Sequence, residues 1–332
     1  MSYADFLARK TAVRPAVGID LDCVDSSLFP HQVEAVRWAA ERGRAATFLD
    51  TGLGKTRIQL AWADAMRQGQ RALIVCPLSI ARQTIREAHA IGLDAAYVRH
   101  HDDVNGPGIY VTNYEMQHQF NPADFAAVVL DESSILKNHE GRTRTQLIDR
   151  WGTVPYRLAC TATPAPNDYT ELANHAEFLG AMSRVEMLAA YFVHDDDGWR
   201  LKGHASSAMY QWMASWAVAA RRPSDVTGNP NDDLGYDLPP LRIHGHTVEV
   251  NAAPEGQLFA TGLGGVGGRA AARRSTMSER IARAADLLAH DRPAIAWCGL
   301  NDEATAMTDA VAGAANLHGT LGPDEKVEII EA

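Results

Sequence analysis

The chain has 332 residues, 46% of them hydrophobic and 22% charged, a composition that excludes a disordered or fibrous protein and suffices for about two domains. No run approaches the roughly 18 uninterrupted apolar residues that cross a bilayer, and the opening MSYADFLARKTAVRP lacks the layout of a secretory signal, so a soluble, cytoplasmic protein is expected. With 31 lysines and arginines against 41 acids the formal charge is −10, which excludes global attraction to a polyanion and leaves local basic patches to hold one.

In chain order, residues 1–27 form an N-terminal segment, and an α/β pattern then fills residues 28–180. Its predicted strands are Ala45 to Asp50, Ala72 to Pro77, Ile109 to Tyr114, Ala126 to Glu132 and Arg157 to Thr163. Most are apolar throughout rather than alternating, which predicts central strands of a parallel sheet covered by helices on both faces. Residues 181–240 change texture: Met, Ala and Trp recur at helical spacing in MSRVEMLAAYF and SSAMYQWMASWAVAARR, predicting a helical insertion or linker in which Trp212 and Trp216 are core. The turn-rich GNPNDDLGYDLPPL closes it.

A second β/α pattern occupies residues 241–332, with strands predicted at His246 to Val250, Ala294 to Cys298 and Ala314 to His318. Helices are predicted near Ser278 to His290 and Asp302 to Val311, the first opened by a capping box between Thr276 and Glu279. Cys23, Cys76, Cys160 and Cys298 lack Cys-x-x-Cys spacing and are expected as reduced thiols. His100-His101 and His244-x-His246 have no third ligand at metal spacing.

Chemistry concentrates in the first pattern. Directly after the first strand comes DTGLGKT, Asp50 to Thr56, running into a helical stretch. A glycine-rich loop between strand and helix turns backbone N–H groups inward to cradle phosphates, with Lys55 placed to neutralise them and Thr56 to ligate Mg²⁺. Leu49 stands where the strict pattern requires glycine, so by itself the stretch is also compatible with a plain glycine turn. The pair Asp131-Glu132 ends a later strand, where Mg²⁺ held by phosphates needs a carboxylate and a second acid can orient the attacking water. Together the two motifs predict ATP hydrolysis.

The series Gln32 in LFPHQVEAVRWA, DTGLGKT, LIVCPLSIARQTIRE, VTNYEM, VVLDESSILKN and CTATPAPNDYTEL resembles the ordered motifs of superfamily-two helicases, nearest the Swi/Snf-type branch and its short phage-borne members. The resemblance implies a RecA-like P-loop lobe, a helical insertion and a partial second RecA-like lobe. It implies that Asp50, Thr51, Gly52, Leu53, Gly54, Lys55 and Thr56 bind ATP, with Gln32 at the adenine. Asp131 and Thr56 would hold Mg²⁺, and Lys55, Asp131 and Glu132 would serve catalysis. Ser134, Thr161 and Thr163 are implied in coupling, while Pro77, Leu78, Thr112 and Asn113 would line a nucleic-acid track, duplex DNA being the expected partner.

Two departures are visible. Ser134 stands where many relatives have histidine, and after AIAWCGLNDEATAM and NLHGT the later motifs, including the arginine finger, find no counterpart, which suggests truncation and slow turnover. An RNA-directed helicase and a catalytically silent binding module therefore stand as alternatives. Elsewhere, GLGGVGG at Gly262 to Gly268 lacks a preceding strand and reads as a plain linker, with phosphate contacts by Arg269, Arg273 and Arg274 beside it as the lesser alternative. WRLKGHA and Arg221-Arg222 are basic islands that read equally as duplex contacts or as solvated surface.

Overall fold

Alternate residues of the central strands enter different cores. In a computed structural model describing residues 15–24, 27–137, 141–196, 198–249 and 273–331, β2 (Arg71–Cys76) sends Leu73 and Val75 to one face and Ala72, Ile74 and Cys76 to the other. β5 (Ala127–Asp131) divides in the same way, Val128 and Leu130 opposite Ala127 and Val129. Both faces are dry, which is why these strands read as unbroken apolar runs.

The sheet has seven strands in the order β3-β4-β2-β5-β6-β1-β9, every neighbouring pair parallel. Alongside β2 and β5 lie β1 (Arg44–Leu49), β3 (Ala95–Tyr97), β4 (Gly108–Asn113), β6 (Tyr156–Cys160) and β9 (Ala217–Ala220). The five predicted strands are present, their ends shifted by one to three residues. The mixed α/β fold with a RecA-like parallel sheet expected from the motifs is the fold observed.

The segment 181–240 differs from the expected helical insertion. The helix across SSAMYQWMASWAVAARR ends at Met213, and Ala217–Ala220 instead forms β9, in register with β1 from Ala46↔Ala217 to Leu49↔Ala220. An antiparallel hairpin, β7 (Phe192–Asp195) with β8 (Gly198–Leu201), also lies there. Tyr191, Met209, Trp212 and Trp216 join the core on one face of the sheet. Helical periodicity misled because a four-residue strand of small residues carries no period of its own, and burial against β1 decides its state.

The chain divides into two compact units, Met1–Leu238 and Pro239–Ala332. In the second, helices Met277–Leu287 and Asn301–Ala310 form where predicted and are tied by an ion pair between Arg280 and Glu303. The capping box does not form: Thr276 Oγ1 accepts from Arg280 Nε at 3.2 Å rather than capping its helix. The segments 246–249, 294–298 and 314–318 expected as strands pair with nothing among the described residues, and Ile295 and Trp297 are exposed. An apolar strand is stabilised by neighbours on both sides, and among the described residues these segments have none. Residues 262–269, with the glycine-rich stretch and Arg269, lie outside the described residues. No helix among the described residues is long and apolar enough to cross a membrane.

Candidate nucleotide site

Because every strand of the sheet points the same way, the loops after β1, β2, β4, β5 and β6 leave from one edge, the edge at which open α/β sheets bind ligands. The loop after β1 is fixed at both ends. Asp50 N donates to Ala220 O of β9 at 2.9 Å, and Leu53 is buried in a small core with Leu49, Ile58 and Ala220. Between these anchors Thr51 and Gly52 are exposed, and Asp50 Oδ1 accepts from Thr51 N at 2.7 Å. Gly52 and Gly54 take φ of +86° and +74°, a left-handed path that side chains resist. A Cβ on Gly54 would also lie 2.1 Å from Gln32 Nε2. Gly54 caps the helix Lys55–Arg67, so the unpaired N–H groups of its first turn face the loop.

Lys55 Nζ donates to the carbonyl oxygens of Leu49 at 3.0 Å and Asp50 at 3.2 Å. Gln32 is buried behind the loop, accepting from Phe29 N at 3.0 Å and donating to Leu53 O at 3.4 Å. His31 Nε2 also bonds Leu53 O, at 3.1 Å, and burial holds its imidazole below the usual histidine value. An open cleft of about 410 Å³ lies over these groups, lined among others by Phe29, Gln32, Lys55, Thr56, Asp131 and Glu132, with Tyr236 at its side.

Asp131 ends β5 at the same edge, and its carboxylate is set by Gln59 Nε2, which donates to Oδ1 at 2.6 Å, and by Glu132 N at 3.0 Å. Burial raises this carboxyl to about 6, with the Gln59 hydrogen bond opposing that rise. The Tyr114 hydroxyl donates to Asp131 O at 2.6 Å. Glu132 has φ of +54°, a conformation costing a residue with a side chain about 1–3 kcal/mol. Its Oε2 accepts from Thr161 Oγ1 at 3.2 Å, and Thr161 Oγ1 accepts from Thr163 N at 3.1 Å. A polar chain therefore runs from the end of β5 to the loop after β6.

The structure thus brings Gln32, Asp50 to Thr56, Asp131, Glu132, Thr161 and Thr163 to one edge. The track residues divide. Pro77 and Leu78 are half-buried at the start of the helix Leu78–Ala90, whereas Thr112 and Asn113 are buried. Thr112 Oγ1 donates to Val98 O at 2.8 Å, and the Asn113 amide joins Glu115 at 2.6 Å and Tyr97 at 3.3 Å. Of the two serines of DESS it is Ser133, not Ser134, that makes a long-range hydrogen bond: Ser133 Oγ and His175 Nε2 are 3.1 Å apart, both buried. Gln59, Ser133 and His175 escaped the motif reading. Gln59 had one usable signal, its place one helical turn beyond Lys55.

The first basic island is engaged locally and the second is exposed. Arg200 pairs with Asp195 at 2.5 Å, Lys202 Nζ donates to Ala189 O at 2.8 Å, and Arg221 and Arg222 are exposed. Among the described residues no group of three or more His, Cys, Asp or Glu is assembled as a metal site.

No protein-family model matches this chain, and no curated protein matches it. Among solved structures it is similar to the SWI2/SNF2 ATPase core of Sulfolobus solfataricus, determined in complex with dsDNA, with a TM-score of 0.53 and 19% sequence identity. The match covers 63% of this chain and 47% of that one, so the chain spans about half the length of its structural neighbour. At this identity the likeness is one of fold.

Proposed function

We propose that this chain is an ATP-hydrolysing motor of the helicase–translocase kind, acting on nucleic acid and most directly on duplex DNA. One observation carries the reading: Lys55, the left-handed glycine loop, Asp131 and strained Glu132 stand at the same sheet edge, with Glu132 joined to Thr161. A buried carboxylate beside a lysine and a helix N-terminus is a poor design for packing and a good one for a triphosphate.

The residues present fit Mg-ATP. Mg²⁺ usually takes one or two protein oxygens and completes its shell with phosphates and water, and Thr56 and Asp131 supply that number. Asp131 Oδ1 is engaged by Gln59 and Glu132 N, leaving Oδ2 as its remaining acceptor. When bound, the metal neutralises charge on the phosphates. Loop N–H groups and Lys55 orient the triphosphate, Glu132 aligns and deprotonates the attacking water, and Gln32 with Phe29 borders the base. Thr161 and Thr163 then relate the position of Glu132 to the loop after β6. In this reading Pro77 and Leu78 face the nucleic acid, and Thr112 and Asn113, buried and bonded within the lobe, do not reach it directly. The solved duplex complex of the structural neighbour supports DNA as the track.

Steady-state ATP hydrolysis with no polymer, duplex DNA, single-stranded DNA and RNA tests the proposal. Hydrolysis stimulated by duplex DNA and abolished by Lys55→Ala is the expected result. Equal rates with and without every polymer contradict it, and preference for RNA moves the track.

A further inference from the structure

Glu132 is the one residue of the Asp131–Ser133 segment whose backbone is left-handed, and both of its neighbours are clamped. Asp131 is gripped through its carboxylate by Gln59 and through its carbonyl by Tyr114, each at 2.6 Å. Ser133 is gripped by a different element. Its hydroxyl meets His175 Nε2 at 3.1 Å, both side chains fully buried, and His175 belongs to the helix Leu172–Leu179, with its ring edge-on to Phe48 of β1 at 5.2 Å. Burial keeps this imidazole neutral, its value lowered to about 4, so it holds one proton and makes an ordinary hydrogen bond with the hydroxyl.

A torsion pinned between two fixed residues cannot relax, and strained backbone persists only where its surroundings over-determine it. We infer that Ser133 and His175 are positioning residues, whose hydrogen bond holds Glu132 left-handed and thereby sets where its carboxylate stands. The inference rests on the reading of Glu132 as the group that aligns water. With the bond made, Glu132 Oε2 lies 3.2 Å from Thr161 Oγ1. With it broken, the backbone can return to an ordinary well, which rotates the Cα–Cβ direction and carries the carboxylate off its target. Lys55, Thr56 and the Asp131–Gln59 pair sit outside this lever. Nucleotide affinity is therefore expected to survive its loss while the chemical step does not.

The test is steady-state ATP hydrolysis by the whole chain with Mg²⁺ and duplex DNA. Ser133→Ala is expected to lower kcat about tenfold to a hundredfold, with KM for ATP changed less than about twofold. Placed in a Glu132→Gln background, Ser133→Ala should cause no further loss, because the carboxylate it positions is already gone. His175→Phe breaks the same bond from the helix side while retaining ring volume, and replaces Ser133→Ala should that variant not fold. A folded variant lacking the bond with kcat within about twofold of the parent overturns the inference. So does a KM that rises as far as kcat falls, or a loss that adds fully to that of Glu132→Gln. Hydrolysis that persists in Lys55→Ala is a separate failure, that of the nucleotide site itself.

Discussion

Gln59 Nε2 donates to Asp131 Oδ1 at 2.6 Å, so the helix that begins at Lys55 also grips the carboxylate at the end of β5. Gln59→Leu leaves that buried acid without its side-chain donor. It should cost about 2 kcal/mol in urea unfolding and raise the Mg²⁺ concentration for half-maximal hydrolysis about tenfold. Unchanged Mg²⁺ dependence in a destabilised variant makes the contact purely structural.

Gly54→Ala places a methyl in left-handed backbone and against Gln32. The expected cost is about 1–3 kcal/mol, with nucleotide affinity lost more than tenfold because the first-turn N–H groups move. Fluorescent-nucleotide titration and urea unfolding of the same preparation separate the two effects.

Opposite titrations are buried in this lobe. Asp131, raised by burial to about 6, keeps a proton in the fold that the unfolded chain releases between about pH 4 and 6, so its contribution is lost as pH rises. His175, lowered by burial to about 4, lacks a proton that the unfolded chain holds up to about pH 6.5, so its contribution grows as pH rises. Each amounts to about 3 kcal/mol, and between pH 4 and 6 they nearly cancel. In Asp131→Asn the opposing acid is gone and His175, with His31 also lowered by burial adding in the same direction, makes stability climb by about 3 kcal/mol or more from pH 4 to 6.5. Urea unfolding across that range reads it, and a flat profile in the variant contradicts a neutral His175.

The sheet and core of the first unit reach past residue 180, through Trp212, Trp216 and β9. A fragment of residues 15–180 should therefore lack cooperative unfolding, whereas 15–238 should melt in one transition. Trp216→Ala in the longer fragment is expected to cost about 3–5 kcal/mol. Circular dichroism melts decide it.

Central strands and phosphate loop were legible because each has a local signature: an unbroken apolar run, and glycines directly between strand and helix. Asp131-Glu132 was legible for the same reason. What escaped was set by distant partners. Ala217–Ala220 is a strand because β1 lies beside it, and Ser133 rather than Ser134 turns inward because His175 waits on a helix far along the chain. Thr112 and Asn113 fit their motif, yet only the three-dimensional arrangement shows their polar groups consumed by Val98, Glu115 and Tyr97. The strands expected after residue 240 had the right composition but no partner strand among the described residues.

The pairing of β1 with β9 also dictates an order of events during synthesis. β1 is among the first strands to be made, but its two flanks are β6 and β9, the latter ending at Ala220. At about 5–20 residues per second, β1 waits on the order of ten seconds for its outer edge to be covered. Until then a row of unpaired amides borders the phosphate loop, a template for mispairing with other chains. Ribosome-associated chaperones therefore have a defined interval in which to act, and a pause in translation just before residue 217 would lengthen it.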